Sequence, residues 1–319
     1  MPFRAGLLFP YPRPERSGGR AKTGQCRLRR PIEYMTTPRE ILHRYNIRPS
    51  RRLSQSFLVD VNTIHKIATA GRILPGDVVV EIGAGIGVLT KDIAHAAGHV
   101  IAVELDPRLV EILHDQFAGC GNVEIYSGDI LKFDFAYKSD QYKSKIKVIG
   151  NVPYNISSPV IFHLLSYRAV ITNFTLMLQK EVVERLVSAP GHKSYGVPSV
   201  LLQMYADVER LFDVSANCFY PVPKVASSII TGEFREKPLM ELTDETFFNR
   251  LVKASFAQRR KMLINNLKNA GFLETMSDSD INSALHGAAI DGKRRGETLT
   301  VEEFGLLSNI LKYRLTNPC

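Results

Sequence analysis

The chain carries short apolar runs separated by stretches in which apolar residues recur at helical spacing. The first clear unit is Asp60–Ala70, a helix with Asp60 as N-cap. Asp77-Val-Val-Val-Glu-Ile82 follows, a β-branched run that ends in glycines and predicts a buried strand. The alternation continues with a helix over Val88–Ala97, a strand over His99–Val103, a helix over Pro107–Phe117 and a strand over Val123–Tyr126. A fourth strand is predicted over Lys145–Gly150, a fifth over Phe174–Leu178, and a helix over Lys180–Val187. Strands alternating with helices imply βαβ units and a mainly parallel sheet covered on both faces, an α/β fold. Near residue 235 the alternation stops, and from Thr243 onward the pattern is helices on short loops, including one long helix over Thr243–Asn269. On that helix Phe248, Leu251, Val252, Phe256 and Leu263 should face the core.

These patterns divide the chain into a basic, disordered extension over residues 1–38, an α/β domain over 39–235 and a small all-helical domain over 243–319. The extension has no hydrophobic periodicity and cannot bury enough apolar surface to order itself. It reads as a targeting peptide, as an RNA-binding arm, or as translation from an upstream start with Met35 the first native residue. Pro10, Pro12 and Pro14 work against an amphipathic transit helix.

Composition changes this picture only locally. The net charge of the 319-residue chain is +9. Residues 1–34 hold eight basic and two acidic side chains, so the rest of the chain carries only three of those nine charges. A nucleic-acid surface must then be a local patch. No apolar run approaches the ~20 residues that span a bilayer. Cys26, Cys120, Cys218 and Cys319 lack zinc-site spacing and read as ordinary thiols; no metal is expected.

The chemistry lies at the strand ends. Glu81-Ile-Gly83-Ala-Gly85-Ile-Gly87 is a strand-to-helix glycine loop of spacing G-x-G-x-G, with Val88 where a dinucleotide fold places its last glycine. An acid two places before Gly83 sits poorly beside a pyrophosphate and suits a cationic ligand; S-adenosylmethionine carries a sulfonium and an ammonium and no phosphate. Glu104, 21 residues after Gly83, has the spacing of a carboxylate that binds ribose hydroxyls. Asp129 ends the third strand, as an acceptor for the cofactor's adenine or as a turn cap.

Asn151-Val152-Pro153-Tyr154 ends the fourth strand. The exocyclic N6 of adenine is a weak nucleophile, because its lone pair is delocalised into the ring. Two acceptors that hold both amino hydrogens would draw it toward tetrahedral geometry. The Asn151 carboxamide oxygen and the Val152 carbonyl are the candidates, with Pro153 biasing Val152 to an extended backbone. Tyr154 offers a stacking face for a flipped base. The alternative is a proline turn with a half-buried tyrosine. Phe219 or Tyr220, in a proline-held loop, either covers the other face of the base or is an aromatic that plugs the core.

At these residues the chain closely resembles the small-subunit ribosomal RNA adenine dimethyltransferase family of the KsgA type. The resemblance runs from about Leu53 to Arg314 and includes Gln55-Ser-Phe-Leu58, the glycine loop, Asn151–Tyr154, Gln179–Arg185, Lys193–Gly196, Phe219–Val225, Phe256–Lys261 and Arg295–Glu297. It implies a Rossmann-like class I methyltransferase domain that binds S-adenosylmethionine through Ser56, Leu58, Gly83, Glu104, Asp129 and Asn151. The target base is then expected between Tyr154 and Phe219. Two adjacent adenosines in a hairpin near the 3′ end of small-subunit RNA are the implied substrate, on an immature subunit. A cytoplasmic monomer with no membrane association is expected. Arg259-Arg260-Lys261 are expected to contact phosphate, or else form a solvated helix face. Three rivals remain: a large-subunit RNA adenine methyltransferase, an assembly factor that keeps the fold for RNA binding, and a nicotinamide oxidoreductase.

Overall fold

The computed structural model describes residues 37–50 and 52–317. The expected basic extension therefore lies outside the described residues, except for its last two. Thr37 and Pro38 are not disordered: Thr37 caps α1 (Pro38–Arg44) in a box with Glu40. Then come β1 (Phe57–Leu58), α2 (Val61–Ala70), β2 (Val78–Ile82), α3 (Val88–Ala96), β3 (His99–Glu104), α4 (Pro107–Phe117), β4 (Val123–Ser127) and α5 (Phe135–Tyr142). The second part of the sheet region comprises β5 (Ile146–Asn151), α6 (Ser157–Ser166), β6 (Ile171–Gln179), α7 (Lys180–Leu186), α8 (Val197–Tyr205), β7 (Ala206–Val214), β8 (Phe219–Tyr220) and β9 (Ser227–Phe234). The chain closes with α9 (Glu245–Ser255), α10 (Leu263–Lys268), α11 (Asp278–Gly287) and α12 (Val301–Thr316).

The main sheet has the order β4-β3-β2-β5-β6-β9-β7. Strands β2 to β6 pair in parallel, while β9 is antiparallel to both β6 and β7. All five residues of β2 are buried, as expected of a central strand covered on both sides. Successive side chains point to opposite faces. Val78, Val80 and Ile82 join the large core that also takes in α6 and α8, whereas Val79 packs with Ile64, Ile67, Leu89 and Ile93 of α2 and α3. The large core continues without a break into the C-terminal helices through Phe248, Leu263, Leu285 and Phe304.

The expected long helix over Thr243–Asn269 is two helices. The chain leaves α9 at Phe256 and restarts at Leu263. Asn266 Nδ2 donates to the Ser255 and Gln258 carbonyls (2.9 and 3.2 Å), which satisfies acceptors freed by the break. Leu263 N–H donates to Arg294 O at 2.7 Å and anchors the restart.

Candidate active site

Strand order places β2 between β3 and β5, so the loops that follow these strands converge at one end of the sheet. There they line a cleft with residues 53–57, the segment that leads into and opens β1 and serves as the outer wall. Gly83 has φ +70°, and an added Cβ would stand 2.9 Å from the Asn151 carbonyl oxygen. Only glycine allows this approach. Gly85, at φ +60°, lies under the Phe57 ring. The loop is tied to β3: Gly83 and Ala84 N–H both donate to Val103 O, and Gly85 N–H donates to Glu104 Oε2 at 2.8 Å.

Glu104 is buried, and its Oε1 accepts N–H bonds from Leu105 and Asp106, both 2.9 Å. Burial pushes its carboxyl up, against the pull of these three N–H bonds. Oε1 is fully used by its two N–H bonds, whereas Oε2, with one, keeps acceptor capacity toward the cleft that the residue lines. Asp106 is the opposite case. The Arg108 guanidinium, and then Gln55, hold its carboxyl down at about 2. Asp129 is a turn cap, its Oδ1 accepting Leu131 N–H at 3.0 Å after β4, and the residue also lines the cleft.

Glu81 departs from its expected place. It lies on the sheet face that carries Val79, beside Thr90 of α3, fully buried, and it is not among the residues lining the cleft. Burial, reinforced by Glu104, pushes it up to about 8, so at neutral pH it is a neutral acid and no counter-ion for a cationic ligand.

Asn151 Nδ2 donates to Ser56 O at 3.1 Å. That bond fixes the carboxamide and leaves Oδ1 as an acceptor in the cleft. Val152 N–H is held by Met177 O of β6 at 3.2 Å. The side chain of Val152 is buried, but the residue also lines the cleft, and Pro153 turns the chain into a helical turn over Tyr154–Ile156. Tyr154 is half-buried, with its hydroxyl 2.7 Å from Ser227 Oγ, and burial pushes its phenol up. The Ser56 hydroxyl donates to Pro221 O at 2.7 Å. The residue also lines the cleft, and its hydroxyl oxygen can still accept there.

Two expected site residues are elsewhere. Leu58 and Phe219 are paired partners of the β1–β8 ribbon, and both point into the core against Ile64 and Ile67. Neither lines the cleft. Phe219 is 2% exposed, so here it is the core plug and not the second face of a base sandwich.

Arg259, Arg260 and Lys261 lie exposed in the turn between α9 and α10, not on a helix face. Arg259 is committed: it donates to Glu297 Oε2 at 2.8 Å and to Lys193 O at 2.7 Å. Arg260 and Lys261 show no ion pair among the described residues. No cluster that could hold a metal is present among the described residues. Cys218 is a free thiol, whereas Cys120, against expectation, is not free. Gln55, Asp106 and Ser227 carry no role in the sequence reading; the Gln55-Ser-Phe-Leu58 motif points toward the first, and the acidic strand end Glu104-Leu-Asp106 toward the second.

Comparison with known proteins gives a consistent answer. A family model described as ribosomal RNA adenine dimethylase matches residues 46–305. A ribosomal RNA small subunit methyltransferase A from Syntrophus aciditrophicus is 42% identical over 280 residues, 88% of this chain and 100% of that protein. One of the same name from Clostridioides difficile is 39% identical over 88% of this chain and 96% of that protein. Among solved structures, a dimethyladenosine transferase from Plasmodium falciparum superposes with a TM-score of 0.70 at 26% identity, covering 79% of this chain and 95% of that one. The 23S rRNA methyltransferase ErmE superposes with a TM-score of 0.64 at 26% identity, covering 80% and 99%.

Proposed function

Because this chain belongs to the ribosomal RNA adenine dimethylase family, we propose the route by which its cleft carries out the family's reaction, the transfer of methyl groups from S-adenosylmethionine to N6 of adenosines in small-subunit ribosomal RNA. The fold is accordingly a Rossmann-like class I methyltransferase domain with helices at its C-terminal end. The relatives named for the small subunit are 42% and 39% identical over 88% of this chain, and the dimethyladenosine transferase superposes with a higher TM-score than the large-subunit enzyme, 0.70 against 0.64. That difference favours the small-subunit substrate over its rival.

The residues of the cleft suit the cofactor. Glu104 retains acceptor capacity for ribose hydroxyls, and Asp129 Oδ2 for an adenine amine. Gly83 and Gly85 present bare backbone where a Cβ would intrude. When bound, the cofactor supplies an electrophilic methyl group on a sulfonium. This chain supplies the geometry. Asn151 Oδ1, aimed by the bond to Ser56 O, accepts one N6 hydrogen, and the Val152 carbonyl accepts the other. The Tyr154 ring takes one face of the base. Its phenol keeps its proton, so it acts as a platform and not as a base. The observation that carries this reading is the Asn151–Ser56 bond, which holds the amide in one of its two orientations.

Arg260 and Lys261 are assigned to phosphate contact, with Arg259 as the brace of their turn. The substrate is assigned to an immature subunit, with the enzyme a cytoplasmic monomer. No helix among the described residues is long and apolar enough to cross a membrane. The test is to incubate the purified protein with methyl-labelled cofactor and, separately, each immature subunit, then locate label by mass spectrometry of the RNA. Label on small-subunit adenosines, abolished by Asn151→Ala, is expected. Label on the large subunit alone, or undiminished label with the variant, overturns the reading.

A further inference from the structure

The outer wall of the cleft, residues 53–57, belongs to neither β3 nor β5, yet it touches the ends of both. Gln55 Nε2 donates to Asp106 Oδ2 at 2.9 Å, just beyond β3. The carbonyl of the next residue, Ser56, accepts from Asn151 Nδ2 at the end of β5. Between those two strands lies β2, whose glycine loop passes beneath, with Gly85 against the Phe57 ring. The dipeptide Gln55-Ser56 is therefore a span over the glycine loop, pinned on one side by a side chain and on the other by a backbone carbonyl. Gln55 is itself held: Oε1 accepts Ser50 N–H at 2.7 Å, and its own N–H donates to Ser50 O at 3.2 Å. Asp106 is held equally firmly, by Arg108 and by its N–H bond to Glu104 Oε1. Hydrogen bonds thus run from Gly85 through Glu104 and Asp106 to Gln55, and across the Gln55–Ser56 peptide a further one reaches Asn151.

We propose that Gln55 is a positioning residue that couples occupancy of the ribose end of the cleft to the orientation of Asn151. It rests on the assignment of the cleft to S-adenosylmethionine. Gln55 needs no contact with the reacting atoms to act. A cofactor seated on Glu104 stiffens the β3 end, Asp106 holds Gln55, and the adjoining Ser56 carbonyl keeps the Asn151 amide turned so that Oδ1 faces the substrate amine. Loss of the Gln55 clasp should then affect two quantities together. Cofactor affinity falls because the wall is no longer pinned, and kcat falls because the Asn151 orientation loosens.

Three variants test this with purified full chain, reading cofactor Kd by calorimetry, then KM and kcat. Gln55→Ala removes one hydrogen bond to a charged group and should weaken S-adenosylmethionine binding about tenfold, with a fall in kcat. Gln55→Glu sets a carboxylate against Asp106. It should bind about tenfold more weakly at pH 8 and recover toward wild type near pH 5.5, where the pair shares a proton. The exchange Gln55→Glu with Asp106→Asn restores a donor–acceptor pair: the new carboxylate still accepts Ser50 N–H, and asparagine remains a good cap for α4. Arg108, half-exposed, is free to turn to solvent. The exchange should bind like wild type at both pH values, which a general loss of structure would not allow. Wild-type-like Kd and kcat for Gln55→Ala, a pH-independent Gln55→Glu, or no rescue by the exchange each overturns the proposal. Failure of the wild-type protein itself to bind the cofactor overturns the assignment beneath it.

Discussion

Replacing Glu81 by Gln should make the folded protein more stable at alkaline pH and flatten its pH dependence. Glu81 has an ordinary pKa of 4.5 when the chain is unfolded and about 8 when folded, because burial disfavours its charged form. The sign follows directly. As pH rises above 4.5 the unfolded chain releases this proton while the folded chain retains it, so stability is greatest below 4.5 and falls until the folded carboxyl also ionises near 8. Between pH 5 and pH 8 the loss integrates to about 3–4 kcal/mol. Glutamine has nearly the same shape and no charge to bury. Its amide N–H takes the place of the neutral acid's O–H as a donor beside Thr90. Glu104 is shifted in the same direction, but it is present in both proteins and largely cancels in the comparison. Urea unfolding at pH 5, 6.5 and 8 measures the difference. The variant should gain on wild type steadily across that range. Equal pH slopes for the two proteins, or a variant less stable at pH 8, would refute the buried neutral acid.

Four further outcomes are expected. Tyr154→Phe and Ser227→Ala each break the same 2.7 Å bond and should lower methyl transfer by similar, non-additive amounts, worth about 1 kcal/mol, whereas Tyr154→Ala also loses about 1–3 kcal/mol of stacking; kcat/KM on RNA checks this. Reversing the charges of Arg260 and Lys261 should reduce the salt dependence of RNA binding, while Arg259→Ala should act mainly on thermal stability, since Arg259 is bound to Glu297 and Lys193; an unchanged salt slope after the reversal counts against phosphate contact. Gly83→Ala forces a Cβ to 2.9 Å from Asn151 O at a positive φ and should abolish turnover with only a moderate loss of stability, measured by labelled transfer and urea unfolding side by side. Phe219→Leu should change melting temperature more than KM for RNA, because Phe219 is packed in the core; the reverse order would return it to the site.

The central strands were legible because a strand covered on both faces is a plain apolar run, and β2 and β3 fall within a residue of their predicted limits. The pair β7 and β9 was not. Exposure alternates along β7 through Asp207, Glu209, Leu211 and Asp213, and β9 opens on Ser227 and Ser228, so neither offers such a run. The break after α9 was hidden because every residue from Phe256 to Met262 is compatible with a helix. What ends it lies outside the segment, the Asn266 bonds from the next helix and the Arg294 carbonyl farther along the chain. At the site, Gly83, Glu104, Asp129, Asn151 and Tyr154 line one cleft, the placement that strand-end logic implies. Leu58 and Phe219 were not, because a two-residue ribbon bounded by prolines does not reveal which face it buries. Glu81 was misplaced for a related reason: an acid at the end of a buried run looks the same whether it opens onto a cleft or onto the opposite face of the sheet.

Strand β7 ends the sheet, with its outer row of peptide groups turned away from β9. Such a rim can recruit a strand from another molecule and seed precipitation. In this chain a register slip between Arg210 and Phe212 kinks the rim, and Arg210 and Asp213 form an ion pair along it. Charge and kink together make the border a poor template for another chain, so a crowded solution of this enzyme has a built-in guard against stacking edge to edge.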